Sequence, residues 1–287
     1  MAERERSDER LAGPGGPDEF VAAGAERAGK PAGRTGAPAA VDPRARLGRG
    51  VEIGPFVTIE ADVEVGEGTR LLPGTVLLSG SRVGRRCTLG PYAVVGAEPM
   101  DTAFHGEPSL AVLEDDVTLR DFATVHRATG EGRETRVGRG ALVMSYAHVS
   151  HNTSVGEHCV ITTAVQLGGH VQVGHHAVLG SGALVHQFAR VGAYAMFGAG
   201  SATNQDVLPF SMARGNPARH YRLNAVGLKR NGFAGERYRD LERAMRFMRR
   251  KDHAALAELA ATNADARELL EFVASSRRGV LRFVTAG

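Results

Sequence analysis

The chain has 287 residues, of which 43% are hydrophobic and 23% are charged, and its formal net charge is +3. That length suits one or two domains, and so small a positive charge does not indicate a nucleic-acid-binding protein. No apolar run is long enough to predict a membrane span, and the opening MAERERSDER lacks the apolar centre of a signal peptide, which favours a cytoplasmic location.

The first 40 residues are rich in Gly, Pro, Ala and charged side chains and hold almost no large apolar residues. Such a segment cannot bury enough apolar surface to offset the entropy lost on ordering. We therefore expect residues 1–40 to form a disordered N-terminal tail.

An aliphatic residue recurs at every sixth position from Val41 to Val191, and Phe197 closes the series. Only Asp101, Glu107 and Glu131 interrupt it, and a small residue usually follows each aliphatic position by four. Neither a helix nor a simple strand has a period of six, so this pattern indicates a repeat architecture.

One bulky and one small inward residue per six describe short strands around a narrow core. Three such strands make a coil of 18 residues, and neighbouring coils stack at about 4.8 Å. The signature resembles that of the left-handed β-helix acyltransferases, an exception to the right-handed crossover rule. The expected fold is mainly β, with a left-handed parallel β-helix over 41–203 and with Cys87 and Cys159 at inward positions.

Residues 204–287 are predicted to form a connector and a C-terminal α-helical domain. The connector has turn residues at Gly215-Asn216-Pro217, and the break near Thr262-Asn263-Ala264-Asp265 is expected to supply the N-cap of the last helix. Amphipathic helices are indicated by Leu241, Met245, Met248, Leu256, Leu259, Leu269, Leu270 and Phe272.

Five histidines occupy outward positions of the repeat within about 60 residues: His126, His148, His151, His170 and His186. If one coil has 18 residues, His151 lies one coil from Gly169 and two from Gln187. An imidazole can act as a general base near neutral pH, and an exposed backbone N–H can stabilise an oxyanion. This pairing suggests acyl transfer.

Several stretches of the chain resemble the UDP-N-acetylglucosamine 3-O-acyltransferases of lipid A synthesis, and together they extend over about 41–282. The most specific are the His148-x-x-His151 pair and the Gly-Leu-Lys-Arg run at 227–230. The resemblance is carried by residues 106–108, 126–129, 147–152, 168–171, 185–188, 205–207, 224–233 and 276–279.

The resemblance implies a reaction and an assembly. A 3-hydroxyacyl chain would pass from acyl carrier protein to the 3-position of UDP-N-acetylglucosamine, as the first step of lipid A biosynthesis. His151 would be the general base, and the Gly169 N–H would hold the oxyanion. No metal or dissociable cofactor is implied, and family members are homotrimers whose cleft lies between subunits.

The resemblance also implies substrate-binding residues. Asp101 would contact the sugar, and Ala199 would limit the acyl chain to a shorter length than glycine allows. The nucleotide would bind Asn224 and Arg230. The remaining substrate-binding positions, which line the sugar and pantetheine cleft, are His126, His148, His170, His186 and Gln187.

Four positions depart from the family pattern. Asn152 stands where an aspartate usually charges the base, and Ala103 stands where a lysine is usual. Val226 and Asn231 replace a glutamate and an arginine. We expect acyl transfer to be retained, at a lower rate or on an altered sugar.

Four alternatives remain. One is a hexapeptide acyltransferase acting on another UDP-sugar, including a 3-amino acceptor, and another is a scaffold that binds a sugar nucleotide without chemistry. A third is the N-acyltransferase of the same pathway, which the Gly-Leu-Lys-Arg run disfavours. The fourth is a zinc enzyme of the γ carbonic anhydrase type, which would use His170 and His175.

Overall fold

The computed structural model describes residues 38–284, which contain 27 short β-strands followed by four α-helices. The expected disordered tail therefore falls almost entirely outside the described residues, and β1 begins at Ala40. None of the helices in the described range is long and apolar enough to cross a membrane.

The strands form three sheets, and successive strands of the chain pass from one sheet to the next. Sheet A contains β1 (Ala40–Val41), β4 (Thr58–Ile59), β7 (Val76–Leu77), β10 (Val94–Ala97), β13 (Thr124–His126), β16 (His148–Val149), β19 (Gln166–Leu167), β22 (Leu184–Val185) and β25 (Ala202–Thr203). Sheet B contains β2 (Arg46–Leu47), β5 (Val63–Val65), β8 (Ser81–Val83), β11 (Leu110–Leu113), β14 (Glu134–Val137), β17 (Ser154–Val155), β20 (Gln172–Val173) and β23 (Arg190–Val191). Sheet C contains β3 (Glu52–Ile53), β6 (Arg70–Leu71), β9 (Thr88–Leu89), β12 (Thr118–Leu119), β15 (Leu142–Val143), β18 (Val160–Ile161), β21 (Val178–Leu179), β24 (Met196–Phe197), β26 (Ser211–Gly215) and β27 (Ala218–Leu223).

Each coil of the chain contributes one strand to each sheet. Strands of neighbouring coils pair in parallel, so that Val149 lies opposite Leu167 and Val155 lies opposite Val173. Three short strands per coil and parallel stacking define a parallel β-helix, which confirms the fold class predicted from the six-residue repeat.

Two insertions enlarge the corner between sheets A and B. The first insertion follows β10, so that the paired residues Ser81 and Ala111 are separated by 30 positions in the sequence. The second insertion follows β13, so that the paired residues Thr124 and His148 are separated by 24 positions. Undisturbed coils have a spacing of 18. Both insertions are thus whole multiples of six, which is why the sequence repeat stays in phase across them. Its three interruptions mark these loops.

The interior of the β-helix is filled by the predicted inward side chains. Leu77, Leu89 and Val143 are fully buried, as are both cysteines. Burial raises the pKa of the Cys87 thiol to about 11 and that of the Cys159 thiol to about 12. Both cysteines are therefore unreactive core residues at neutral pH, as predicted.

Sheet C continues beyond residue 203, because β26 pairs in parallel with β24 and in antiparallel with β27. The hairpin turn between them contains Asn216 and Pro217. Four helices follow: α1 (Ala225–Arg230), α2 (Gly235–Arg250), α3 (His253–Thr262) and α4 (Ala264–Ala274). The Asn263 side chain accepts a hydrogen bond from the Ala266 N–H at 2.9 Å, which makes Asn263 the N-cap of α4, within the break predicted at 262–265.

Asp206 joins the last coils to the C-terminal segment. Its carboxylate accepts hydrogen bonds from the backbone N–H and the Nε of Arg190, both at 2.9 Å, and from the Ser276 hydroxyl at 2.8 Å. The Arg190 guanidinium also donates to the Phe272 carbonyl. Because Asp206 is buried and fully paired, these contacts hold the chain after α4 against the β-helix.

His220 is buried in β27 between two backbone partners. Its Nε2 accepts a hydrogen bond from the Leu208 N–H at 3.0 Å, so the neutral ring donates from Nδ1 to the Leu281 carbonyl at 2.9 Å. Burial lowers the pKa of His220 from 6.5 to about 4. Protonation would remove the acceptor that Leu208 uses and place an uncompensated charge in the interior.

The free energy of unfolding should therefore depend on pH through His220. The folded state resists protonation down to about pH 4 whereas the unfolded state takes up a proton near 6.5. The contribution is present above pH 6.5 and is lost at about 1.4 kcal/mol per pH unit as the pH falls toward 4. Urea unfolding at pH 7 and pH 5 should show a loss about 2 kcal/mol larger in the wild type than in His220→Gln. Equal losses in the two proteins would contradict this assignment.

Candidate active site

The enlarged corner between sheets A and B brings the predicted site residues together. His151 and Asn152 lie in the turn after β16, and Gly169 lies in the turn after β19, one coil further along. Asp101 lies in the first insertion. The side chains thus come from two adjacent coils and from a loop that the regular repeat does not contain.

His151 and Gly169 are in close contact across the two coils. The His170 N–H donates to the His151 carbonyl at 3.0 Å, which fixes the spacing of the backbones. A Cβ atom added at Gly169 would lie 2.5 Å from both Cε1 and Nε2 of the His151 ring. The φ of Gly169 lies outside the left-handed region, so glycine is needed here for the approach of the imidazole and not for the backbone.

Asn152 fixes the orientation and the tautomer of the His151 ring. Its amide is held by Thr129, whose N–H donates to Oδ1 at 3.0 Å and whose carbonyl accepts from Nδ2 at 2.9 Å. The oxygen of the amide therefore faces His151 Nδ1, at 2.9 Å. Because an amide oxygen only accepts, the neutral ring must carry its hydrogen on Nδ1. The unprotonated Nε2 then faces Gly169.

The backbone at Asn152 is left-handed, with φ at 58°. Asparagine, aspartate and glycine adopt this conformation more readily than other residues. The Asn152 N–H donates to the Thr135 hydroxyl at 2.8 Å, which anchors the turn. The backbone at this position is therefore suited to asparagine or aspartate, and the choice between them changes the charge beside the base.

Asp101 is the carboxylate of the site. Its Oδ2 lies 3.7 Å from His151 Nδ1, and its Oδ1 accepts a hydrogen bond from the Ala103 N–H at 3.1 Å. That hydrogen bond and the nearby rings of His151 and His170 lower the pKa of Asp101 below its ordinary value. The carboxylate is therefore ionised at neutral pH.

Glu107 connects the two insertions. One of its carboxylate oxygens accepts from the Gly130 N–H at 2.6 Å and the other from the His105 N–H at 2.8 Å. These backbone donors lower the pKa of Glu107. The Arg127 guanidinium also stacks over the Phe104 ring, 4.8 Å from its centroid. No role is predicted for these residues from the sequence, although Glu107 stands at an interruption of the repeat.

His126 and His148 lie on β13 and β16, two neighbouring strands of sheet A. Their rings meet edge to face with centroids 4.8 Å apart. Nδ1 of His148 pairs with the Thr124 hydroxyl at 2.7 Å, and Nε2 pairs with the Ser150 hydroxyl at 2.9 Å. Burial lowers the pKa of His148 to about 4 and also lowers that of His126, so both rings are neutral at pH 7.

Two cavities flank the catalytic corner. The first, of about 560 Å³, runs over the outer face of sheet A, where it is lined by His148, Gln166, Leu184, His186, Asn204 and Pro217, among others. The second, of about 590 Å³, extends from His170 and Phe188 to Arg277 and Arg278 of the C-terminal segment. Both have the size of small-molecule sites, and the second has a cationic end.

Gln187 and His186 lie one coil beyond Gly169. The Phe188 N–H donates to the Gly169 carbonyl at 3.0 Å, and the Phe188 ring stacks on His170 with centroids 4.5 Å apart. The Arg278 guanidinium lies 3.0 Å from His186 Nδ1. This coil therefore connects the corner to both cavities.

Three predicted substrate-binding residues lie elsewhere within the chain. Ala199 is exposed at the corner between sheets C and A, after β24. Asn224 is buried, where it caps α1 and donates to the Tyr194 carbonyl at 2.9 Å; Arg230 is exposed at the end of that helix. Tyr194 belongs to the corner between sheets B and C. Within a single chain, these three residues are therefore not at the corner that contains His151.

The two histidines of the zinc alternative are not brought together within a single chain. His175 follows β20 at the corner between sheets B and C, where its Nδ1 lies 3.1 Å from that of His176, whereas His170 is at the corner between sheets A and B. Within residues 38–284, one group of metal-type donors is compact: Asp101, His151 and His170, within 4.8 Å of one another. His151 Nδ1 is bonded to Asn152 and Asp101 Oδ1 to Ala103, so we interpret this group as a proton-transfer site.

The fold and the contact between His151 and Gly169 are typical of one class of enzyme, the hexapeptide-repeat acyltransferases. The family model described as bacterial transferase hexapeptide matches residues 44–78 and 62–97. The model described as UDP N-acetylglucosamine O-acyltransferase, domain 2, matches residues 206–281.

Whole-chain comparisons identify the family. The acyl-[acyl-carrier-protein]--UDP-N-acetylglucosamine O-acyltransferase of Halorhodospira halophila is 43% identical over 251 residues, covering 85% of this chain and 97% of the relative. That of Thermodesulfovibrio yellowstonii is 37% identical over 255 residues, with the same coverage. The crystal structure of the UDP-N-acetylglucosamine acyltransferase of Bacteroides fragilis has a TM-score of 0.80 at 32% identity and covers 85% of this chain and 98% of its own. The chain belongs to the acyl-[acyl-carrier-protein]--UDP-N-acetylglucosamine O-acyltransferase family.

Proposed function

We propose that this chain transfers a 3-hydroxyacyl group from acyl carrier protein to the 3-hydroxyl of UDP-N-acetylglucosamine, as the first step of lipid A synthesis. The observation that carries the proposal is the position of the unprotonated His151 Nε2 against Gly169 of the next coil. Within residues 38–284, the Gly169 N–H has no hydrogen-bond acceptor, so it is free to donate a hydrogen bond to a substrate oxygen.

The reaction follows from these two groups. His151 Nε2 removes the proton of the sugar 3-hydroxyl as its oxygen attacks the thioester carbonyl, so that a C–O bond forms. The carbonyl oxygen becomes an oxyanion, which the Gly169 N–H stabilises. When the C–O double bond forms again, the C–S bond breaks, and the imidazolium returns its proton to the leaving thiolate. The base is thereby regenerated.

The two cavities suit the two substrates. We assign the apolar sheet A cavity, with Leu184 exposed in it, to the acyl-pantetheine arm. We assign the cavity that ends at Arg277 and Arg278 to the diphosphate of the nucleotide, because arginine binds phosphate through charge-assisted hydrogen bonds. Asp101, beside the base, would accept a hydrogen bond from the sugar.

The roles proposed for Ala199, Asn224 and Arg230 require a second copy of the chain. Ala199 lies at another corner of the β-helix, and Asn224 and Arg230 lie at the two ends of α1, so we infer that they reach a substrate at His151 from a neighbouring subunit. We therefore propose a homotrimer with its clefts between subunits, acting in the cytoplasm. Both proposals rest on the family resemblance.

Mass spectrometry of the products would test the activity. The purified protein would be incubated with UDP-N-acetylglucosamine, or its 3-amino analogue, and hydroxyacyl carrier proteins of several chain lengths. We expect one acyl group on the 3-hydroxyl of UDP-N-acetylglucosamine, with one chain length preferred. Product from the amino sugar alone would move the assignment to an N-acyltransferase, and no product with any pair would favour a non-catalytic scaffold.

A further inference from the structure

We propose that Asp101 supplies the negative charge that stabilises the protonated His151, while Asn152 only orients the ring. The two tasks that a single aspartate beside the base would combine are thus divided between two residues. The reaction in which the imidazolium forms rests on the proposed function. The attraction between the Asp101 carboxylate and protonated His151, however, is a property of the protein without substrate.

Asn152 performs the orienting task without a charge. The Thr129 backbone holds its amide from both sides, and the amide oxygen accepts the Nδ1 hydrogen of His151. A neutral amide oxygen stabilises an imidazolium less than a carboxylate does. Since His151 is only 8% exposed, water cannot compensate fully for the missing charge.

Asp101 lies where that charge is needed. Its Oδ2 is 3.7 Å from Nδ1, the atom that Asn152 also contacts. An opposite charge at about 4–6 Å favours the protonated form of a histidine by about 1–3 pH units. Asp101 is thus close enough to act through space without replacing Asn152 as the hydrogen-bond partner.

The other titratable groups around His151 are His126 on β13, His148 on β16 and His170 after β19. Burial is the largest cause of a lowered pKa at each of them, and any charge on them would oppose protonation of His151. Within residues 38–284, Asp101 is the acidic group that forms an ion-pair contact with His151.

The first insertion places Asp101 before any substrate binds. The Ala103 N–H holds Oδ1, and Glu107 fastens the same loop to Gly130 of the second insertion. Asp101 therefore stabilises the protonated form of His151 through its charge, in addition to any contact that it makes with the sugar.

An NMR titration of the His151 ring would test the proposal without substrate. The proteins would be the wild type, Asp101→Asn, Asn152→Asp and the double variant, all with labelled histidine. Asp101→Asn keeps the shape and the Oδ1 acceptor but removes the charge, and it should move the protonation midpoint measurably to lower pH. Asn152→Asp should raise it by a similar amount, and the double variant should return near the wild type.

Asp62→Asn is the matched control, because it removes a carboxylate that pairs with Arg82 at the same corner of the β-helix but four coils before His151, and it should leave the titration unchanged. If the protein is active, the acid limb of kcat/KM should move in the same direction as the NMR midpoint in each variant. An Asp101→Asn protein with a wild-type midpoint and an altered KM alone would overturn the proposal, since Asp101 would then only bind the sugar. A shifted midpoint in a protein without acyl transfer would support the charge relation and reject the proposed function.

Discussion

Replacing His151 with alanine is expected to lower kcat/KM for acyl transfer by about 10²–10⁴-fold, with a smaller effect on KM. The imidazole is the group whose unprotonated nitrogen faces Gly169, and its removal leaves the sugar hydroxyl without a proton acceptor. Steady-state kinetics with acyl carrier protein thioester and UDP-N-acetylglucosamine would measure the loss.

The matched control is His253→Ala, which removes an exposed histidine at the start of α3. That variant should retain the wild-type rate. A His151→Ala protein that keeps more than about one tenth of the wild-type kcat/KM would exclude His151 as the base, because general base catalysis contributes at least about a hundredfold.

Gly169→Ala should lower kcat/KM by about 10²–10³-fold, through a different route. The new methyl group would lie 2.5 Å from the His151 ring, so the ring must move away from the position in which Nε2 meets the hydroxyl. Displacements of about 1 Å cost about a hundredfold in rate, and the oxyanion donor would be partly covered as well.

Thermal unfolding separates this clash from general damage to the fold. In the wild-type background, Gly169→Ala should lower the Tm, since the methyl group and the ring compete for the same space. In the His151→Ala background the ring is absent, and the same substitution should lower the Tm much less. Equal losses in the two backgrounds would show that the backbone at Gly169, and not the imidazole, requires glycine.

Much of the fold was predictable from the repeat alone. A period of six with one bulky and one small inward residue specifies the parallel β-helix, and counting 18 residues from His151 leads to Gly169 because no insertion lies between them. The six-residue repeat also stays in phase across the two insertions, because their lengths are multiples of six. Continuation of sheet C through β26 was not predicted, since Ser211–Gly215 no longer follows the repeat.

The chemistry of the site was only partly predictable. From the sequence, Asn152 is only the loss of a carboxylate, because no pattern indicates that Thr129 holds its amide from two sides. The distance from Asp101 to the ring depends on how the first insertion folds back, which is set by the contacts of Glu107. Loop conformations of this kind depend on pairings between distant residues that leave no periodic signal.

The hydrogen bond from the His170 N–H to the His151 carbonyl has a mechanical consequence. The proposed proton acceptor, His151, and the proposed oxyanion donor, Gly169, are attached to adjacent coils of the β-helix, with no hinge between them. Their separation is an interstrand distance, and such distances barely change while the sheet is intact. Substrate binding therefore has no domain movement to drive at this point, and a rigid mimic of the tetrahedral intermediate should find both partners already in place in the empty enzyme.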